Sequence, residues 1–298
     1  VSKDFPPESA ESSPISLKNH QKRLSKFPDW TAFGPILMNT SSMRSGDKRR
    51  GMIPSIPDHR LLRPIGYGAY GEVWLAKTVI GAYRAIKIVY RANFEEAGPY
   101  EREFAGIKRF EPISRSSEGL VDILHVGRDD EKGYFYYVME LADDAAGFSG
   151  EAPGGSAAPH ATTGEASLES GRYSPKNLSV YLKERGRLPF EECVQLGLSL
   201  TLALARLHRV NLIHRDVKPS NIIFVEGLPK LADMGLVTDV SEANSLVGTI
   251  GYIPPEGPNS PQADLYGLGK VLYELSTGKD RKEFPMPSVD VTQLAENK

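Results

Sequence analysis

The stretch HRDVKPSN at residues 214–221 decides how this sequence is interpreted, because it places several polar groups of defined chemistry between two apolar segments. Asp216 can accept or orient the proton of a hydroxyl group. Lys218 can neutralise negative charge on a group in transfer, and Asn221 can supply an oxygen ligand to a metal ion. The composition of the stretch predicts a catalytic loop.

A second polar position follows within the same region. Asp233 stands twelve residues after Asn221, between Leu231-Ala232 and Met234-Gly235, and the residues between them have the pattern of a β-hairpin. An Asp before a Gly is also typical of an ordinary turn. The hairpin would bring Asn221 and Asp233 together as two hard oxygen ligands, the kind that Mg²⁺ prefers.

Upstream, residues 65–73 read IGYGAYGEV and contain three glycines at positions 66, 68 and 71. Glycines at this spacing often serve only as turn residues. They can also open a dinucleotide-binding βαβ unit, but there a helix follows the glycines, whereas here residues 73–76 are typical of a strand. A glycine loop between two strands allows backbone N–H groups to approach phosphate oxygens closely.

Lys87 lies in the apolar run Ala85-Ile86-Lys87-Ile88-Val89 on the third predicted strand. A lone strand lysine is usually solvated, but an ammonium in an apolar run needs a carboxylate partner or a ligand phosphate. Glu103 is the best candidate, because it lies beside the apolar positions Tyr100, Ile107 and Phe110 of a predicted helix over 99–110.

Changes in composition along the chain predict four segments. Residues 1–57 form a polar arm that we expect to be mostly disordered, and residues 58–141 form a β-rich lobe. Residues 142–175, rich in Gly, Ala and Ser, are interpreted as a flexible insertion. Residues 176–298 form a helical lobe, so the predicted fold class is α+β with two lobes.

The overall composition excludes several classes of protein. With 36 Lys and Arg against 38 Asp and Glu, the net charge is −2, which argues against nucleic-acid or anionic-membrane binding. The single cysteine, Cys193, excludes an internal disulfide and favours a reducing, cytoplasmic location. The most apolar stretch, residues 194–207, is too short to cross a bilayer.

Taken in order, these motifs resemble those of the eukaryotic-type protein kinases, from about residue 58 to the end of the chain apart from the insertion. Lys218 is typical of the serine/threonine branch, and the sequence looks most similar to bacterial members. The resemblance implies ATP and Mg²⁺ as cofactors and a serine or threonine hydroxyl of a protein as the acceptor. It also assigns catalytic roles to Asp216, Lys218, Lys87 and Glu103, and metal binding to Asn221 and Asp233.

The resemblance further implies an ATP pocket and a regulatory segment. Arg215 would pair with a phosphate on the segment between Asp233 and Glu256, where Thr238 and Ser245 are the candidate autophosphorylation sites and Thr249 is expected to hydrogen-bond near Asp216. The ATP-binding positions would be Ile65, Gly66, Gly68, Gly71, Val73, Ala85, Lys87, Met139, Glu140, Ala142 and Ile223, with Met139 as the residue at the back of the pocket.

Two features keep other functions open. The family's later helices, including an arginine that pairs with the position of Glu256, are not found in residues 277–298, so the second lobe is expected to be incomplete. This favours a non-catalytic, ATP-binding scaffold or regulator as the alternative. A small-molecule phosphotransferase is a third hypothesis, which Lys218 and the segment 248–256 make weaker. The sequence does not indicate the oligomeric state.

Overall fold

The computed structural model describes residues 54–68, 70–147, 168, 171–240 and 247–285. The chain divides into two compact units, Val1–Ile53 and Pro54–Lys298, and all described residues belong to the second. Residues 1–53 of the predicted arm and most of the insertion predicted for 142–175 lie outside the described residues. The last residues of the arm are ordered, contrary to the prediction: Ile56 is 3% exposed, packs in a hydrophobic cluster and pairs with His59.

Five antiparallel strands form the first lobe in the order β1-β2-β3-β5-β4. Their centres are apolar and they end at glycines or polar turns, as expected for a meander. The β5 strand is buried along its whole length and lies between the central strand β3 and the edge strand β4. The strands are β1 (His59–Tyr67), β2 (Gly71–Thr78), β3 (Tyr83–Tyr90), β4 (Ile123–Asp129) and β5 (Tyr134–Met139).

One helix, α1 (Ala97–Ser114), packs against this sheet. Tyr100, Ile107 and Phe110 are buried, as the helical spacing of the apolar residues predicts. Glu103 lies on the same buried side. The helix is longer at both ends than the predicted range 99–110, and Pro112 is accommodated in its last turn.

The second lobe contains three helices within the described residues: α2 (Leu178–Arg185), α3 (Phe190–His208) and α4 (Pro261–Thr277). Local sequence sets their ends. Asn177 caps α2 by accepting a hydrogen bond from the backbone N–H of Val180, and Ser260 caps α4 in the same way. Gly278, with a φ of 69°, ends α4 in the left-handed conformation that favours glycine.

Short strands position the polar loops of the second lobe. The predicted hairpin is present as β7 (Ile222–Val225) and β8 (Leu228–Leu231), joined by a two-residue turn with positive φ at Glu226 and Gly227. A pair not predicted from the sequence, β6 (Leu212–Ile213) and β9 (Thr238–Asp239), lies on either side of it in the chain.

The main hydrophobic core is continuous between the lobes. It includes Phe110 and Phe135 from the first lobe and Leu204, Leu231 and Val271 from the second. The predicted α+β fold with two lobes is confirmed. The loop after β8 meets the sheet at Lys87 of β3, which contacts Asp233.

Candidate active site

Lys87 is the centre of a buried ion-pair cluster that joins the two lobes. Its Nζ donates a hydrogen bond to Oδ1 of Asp233 at 2.7 Å and lies 3.9 Å from Oε1 of Glu103. The side chains of Lys87 and Glu103 are 9% and 4% exposed, whereas that of Asp233 is 45% exposed. The structure thus brings Lys87, Glu103 and Asp233 together, with Asp233 as the nearer partner.

The charges in this cluster shift one another's pKa values. Burial by itself would lower the pKa of Lys87, but the charges of Asp233, Tyr137 and Glu103 outweigh it and raise that pKa well above its ordinary value. Lys87 in turn lowers the pKa of Asp233 to about 2. Burial raises the pKa of Glu103 to about 7, because the nearby charge of Lys87 offsets only part of the effect. Its Oε1 has no hydrogen-bond partner among the described residues.

Backbone geometry after Asp233 makes room for the cluster. Asp233 itself has a φ of 59°, which turns the chain sharply into the short helix Met234–Leu236. A Cβ on Gly235 would lie 2.6 Å from Nζ of Lys87 and 2.9 Å from Oε1 of Glu103. A side chain at this position would force the ends of the Lys87 and Glu103 side chains to move. Met234, which follows Asp233, is buried in the core.

A second cluster surrounds Asp216. Oδ2 of Asp216 accepts hydrogen bonds from Nζ of Lys218 at 2.6 Å and from Nδ2 of Asn221 at 2.9 Å. Its Oδ1 accepts a hydrogen bond from the hydroxyl of Thr249 at 2.7 Å, and Lys218 also donates to that hydroxyl at 2.7 Å. Thr249 therefore occupies the place near Asp216 that the sequence predicts for it.

Asp264 at the start of α4 holds the backbone of this loop. Its carboxylate, 1% exposed as a residue, accepts hydrogen bonds from the backbone N–H of His214 at 2.8 Å and of Arg215 at 2.7 Å. The ring of His208 donates to the same carboxylate at 2.8 Å. Arg215 has a φ of 71°, so this anchoring fixes a backbone conformation that a non-glycine residue rarely adopts.

The glycine positions and the strand residues predicted to bind ATP lie on β1, β2, β3, β5 and β7 or in the turn between β1 and β2. The backbone N–H of Gly68 donates to the carbonyl oxygen of Gly71 at 2.9 Å, which closes the turn between β1 and β2. Ile65, Val73 and Ile223 are partly buried against the main core, and Gly66 pairs with Val73. Ala85 on β3 pairs with Met139 at the end of β5.

Residues after β5 connect the lobes and are held by contacts that the sequence analysis missed. The carboxylate of Glu140 forms an ion pair with Nζ of Lys230 at 2.7 Å and accepts a hydrogen bond from the backbone N–H of Asp122 at 2.8 Å. The hydroxyl of Tyr173 donates to the carbonyl oxygen of Ala142 at 2.9 Å. No local motif marks these partners, because 31 to 90 residues separate Tyr173 and Lys230 from the groups they bind.

Of the two candidate phosphorylation sites, Thr238 and Ser245, the structure describes only Thr238. Thr238 is 6% exposed and lies in β9, paired with Ile213, so its hydroxyl is inaccessible in this conformation and the burial argues against its modification. Ser245 lies outside the described residues. Glu256 is exposed and forms no ion pair with any residue that the structure describes.

The described residues contain no cluster of three or more His, Cys, Asp or Glu side chains with the arrangement of a metal site. None of the described helices combines the length and apolar character that a membrane crossing requires.

Comparison with known proteins agrees with this geometry. A family model described as the protein kinase domain matches residues 166–293. A probable serine/threonine-protein kinase of Clostridium perfringens is 28% identical over 234 residues, which cover 74% of this chain and 29% of the relative. PrkC of Bacillus subtilis, a serine/threonine-protein kinase, is 29% identical over 237 residues, covering 74% and 30%. PknL of Mycobacterium tuberculosis is 41% identical over 107 residues, covering 33% and 27%.

The two-lobed fold, with an ion-pair cluster between a β-rich lobe and a helical lobe, defines a protein kinase domain. The chain is similar to eukaryotic-type serine/threonine protein kinases, and these three relatives are from bacteria. It spans less than a third of the length of each of them.

Proposed function

We propose that this chain transfers the γ-phosphate of ATP to a serine or threonine hydroxyl of a protein substrate. The observation that carries the proposal is the presence of two neighbouring polar clusters, Lys87-Glu103-Asp233 and Asp216-Lys218-Asn221. They are close enough for the charge of Lys218 to contribute to the lowered pKa of Asp233. The first has the charge to hold a nucleotide phosphate, and the second has the groups to orient an acceptor hydroxyl.

Asp216 is the residue that we assign to the acceptor. Its Oδ1 already accepts a hydrogen bond from a threonine hydroxyl, that of Thr249, at 2.7 Å. A substrate hydroxyl presented to the same carboxylate would be oriented in the same way and could give up its proton there. Lys218, 2.6 Å from the other oxygen, supplies the positive charge beside the phosphoryl group in transfer.

The residues present also fit a magnesium ion. The amide nitrogen of Asn221 donates to the backbone carbonyl and to Oδ2 of Asp216, both at 2.9 Å, which leaves the amide oxygen of Asn221 as a ligand atom. Asp233 is ionised, since its pKa is lowered to about 2, and its side chain is partly exposed. Two hard oxygens suit Mg²⁺, which takes few protein ligands and would neutralise phosphate charge when bound.

For ATP, Lys87 is the residue that would bind the phosphates, with Glu103 as its second partner. Ile65, Val73, Ala85 and Ile223, which belong to the main core or pack against it, would provide apolar contacts to the adenine ring. The backbone of residues 139–142, between Met139 and Ala142, would bind the ring edge. The glycine loop formed by Gly66, Gly68 and Gly71 would cover the phosphates.

Autophosphorylation is a further part of the proposal, with Ser245 as the acceptor in the segment before Thr249. A small cavity of about 60 Å³ beside this segment is lined by two arginines, Arg102 and Arg215, together with Thr238 and Val247. A phosphate on the neighbouring segment would add a group that guanidinium ions bind well. Mass spectrometry after incubation with ATP should find phosphate on Ser245.

The test of the proposed function is the transfer of radiolabelled γ-phosphate from ATP to a generic protein substrate or to the chain itself. Asp216→Asn and Lys87→Met should each reduce the rate by at least about 100-fold, the usual range for such groups. Asp130→Asn, the same change in an exposed turn, is the control and should keep the wild-type rate. Equal rates in the wild type, the two site variants and the control would overturn the site assignment. ATP binding without phosphate transfer would favour the alternative of a non-catalytic, ATP-binding scaffold.

A further inference from the structure

One turn of the chain carries the hydroxyl that contacts Asp216. It consists of Thr249, Ile250, Gly251 and Tyr252, and the backbone N–H of Tyr252 closes it by donating a hydrogen bond to the carbonyl oxygen of Thr249 at 3.1 Å. Gly251, at the third position, has a φ of 95°, a conformation that favours glycine there. The place of the Thr249 hydroxyl on Asp216 therefore depends on what fixes this turn.

Tyr252 fastens the turn to α4. Its hydroxyl donates a hydrogen bond to Oε2 of Glu274 at 2.6 Å. Both residues are buried, and Glu274 lies in the last turns of α4. A buried carboxylate is costly unless it is paired and hydrogen-bonded, so Glu274 needs further partners to hold this position.

Arg281 contacts both members of this pair. Its backbone N–H donates to Oε1 of Glu274 at 3.1 Å, and a guanidinium nitrogen lies 3.4 Å from the same oxygen. The guanidinium also lies over the ring of Tyr252, 4.7 Å from the ring centre, which is the arrangement of a cation–π contact. Arg281 thus supplies positive charge to the carboxylate and a flat surface to the ring.

The side chain of Arg281 also packs directly against the turn. A Cβ on Gly251 would lie 2.6 Å from Nε of Arg281 and 3.0 Å from its Cδ. The backbone of Arg281 is itself held, because its carbonyl oxygen accepts a hydrogen bond from Nζ of Lys270 at 3.1 Å and Asp280 caps the short helix Arg281–Glu283. With its backbone anchored, Arg281 restrains the turn instead of moving with it.

We propose, on the basis of the proposed kinase activity, that Arg281 is a positioning residue for the transfer of the phosphoryl group. Through Glu274 and Tyr252 it holds the turn, and the turn keeps the hydroxyl of Thr249 on Asp216. Arg281 acts through these residues and does not itself touch the reacting groups. A displacement of about 1 Å can slow such a step by on the order of 100-fold, so losing the Arg281 side chain should lower kcat by about 10- to 30-fold.

Arg281→Met tests this role, because it removes the charge and the planar group but keeps the length of the side chain. Steady-state kinetics with a threonine peptide should show the loss mainly in kcat. The affinity for ATP should stay within about twofold of the wild type, since the ion-pair cluster around Lys87 is built from other residues. Lys282→Met removes a positive charge from the next residue, which is exposed, and should keep the wild-type kcat.

A double substitution separates positioning from a general loss of stability. If Arg281 acts through the hydroxyl of Thr249, Arg281→Met should lower kcat by less than about threefold in a protein that already carries Thr249→Val. Residues of one network are expected to be non-additive in this way. A loss of kcat in the Thr249→Val background as large as in the wild-type background would overturn the proposal.

Hydrogen exchange separates this inference from the proposed function. The amide proton of Tyr252 closes the turn, so its exchange rate reports how freely the turn opens whether or not phosphate is transferred. It should exchange at least about tenfold faster in Arg281→Met than in the wild type, and at the wild-type rate in Lys282→Met. Amide protons in the centre of α4 serve as the reference for unfolding of the whole lobe.

Two outcomes of the exchange experiment are distinguishable. Faster exchange of Tyr252 in Arg281→Met, with no phosphate transfer by the wild type, would overturn the kinase activity and support the hold of Arg281 on the turn. An unchanged exchange rate of Tyr252 relative to the α4 reference would overturn the positioning proposal, whatever the activity.

Discussion

Gly235 leaves the space in which the ammonium of Lys87 lies, since a Cβ on Gly235 would come within 2.6 Å of Nζ of Lys87. The same added carbon would be 2.9 Å from Oε1 of Glu103 and 3.4 Å from Oδ1 of Asp233. The arrangement of the three charged groups thus depends on the absence of one side chain. This close approach, rather than a special φ, is the reason for a glycine at this position.

Gly235→Ala should therefore displace Lys87 or Asp233 and weaken ATP binding by at least about tenfold, with a loss of about 1–3 kcal/mol in the free energy of unfolding. Titration with ATP and urea unfolding measure the two effects. Gly269→Ala is the control: a Cβ there meets nothing within 4 Å, and the helical position should gain about 0.5–1 kcal/mol. Equal ATP affinity in Gly235→Ala and the wild type would contradict the prediction.

Removing the hydroxyl of Thr249 should loosen the cluster around Asp216. Thr249→Val keeps the shape of the side chain but deletes one donor to Asp216 and one acceptor for Lys218, so we expect kcat to fall about 10- to 100-fold. Thr249→Ser retains the hydroxyl and should stay within about threefold of the wild type. Steady-state kinetics measures kcat in both variants. An equal loss of kcat in Thr249→Val and Thr249→Ser would show that the hydroxyl group is not what matters at this position.

Replacing Asp264 should destabilise the whole domain. The two carboxylate oxygens of Asp264 accept hydrogen bonds from two backbone N–H groups and from His208. Asp264→Asn replaces one of these oxygens by an amide nitrogen, which is a donor and cannot accept them. Leaving one such buried donor unsatisfied costs about 1–3 kcal/mol. Thermal unfolding measures the loss. Asp58→Asn at an exposed turn should leave the midpoint unchanged, and a similar midpoint for Asp264→Asn would refute the anchoring role.

Glu103 should make stability depend on pH. Its pKa is raised from 4.5 to about 7, so between these pH values the folded chain keeps a proton that the unfolded chain has lost. The free energy of unfolding therefore contains a contribution that is fully present below pH 4.5 and disappears as the pH rises through about 7.

Glu103→Gln, which resembles the protonated acid, should remove this dependence. The free energy of unfolding is measured by urea at pH 5 and at pH 7.5. From the lower to the higher pH, the wild type should lose more than about 1 kcal/mol relative to Glu103→Gln. Glu118→Gln, the same change at an exposed position, should track the wild type at both. The same pH dependence of stability in the wild type and in Glu103→Gln would show that Glu103 is not its source.

The parts of the site that are local in sequence could be predicted. The period of the apolar residues in α1 identifies Glu103 as the partner of Lys87, and the hairpin between Asn221 and Asp233 follows from a short turn between apolar runs. Both inferences need only the geometry of one helix or one hairpin. Ala85 and Met139 lie opposite each other because both belong to buried strands of the same sheet.

The parts of the site that depend on contacts between distant segments could not be predicted from the sequence. Pairing of β6 with β9 buries Thr238, and two-residue strands have no sequence pattern of their own. Arg281 meets Glu274 only because the chain turns back after α4, and Tyr173 reaches Ala142 across residues that carry no motif. The shorter distance from Lys87 to Asp233 than to Glu103 depends on the relative placement of the two lobes.

The anchoring of the catalytic loop by Asp264 has a consequence for hydrogen exchange. The backbone N–H groups of His214 and Arg215 lie in a loop, where amide protons usually exchange through small local openings. Here both donate to a carboxylate on a buried helix that belongs to the main core. Their amide protons should exchange as slowly as those in the centre of α4, so the loop opens only when the helical lobe itself unfolds.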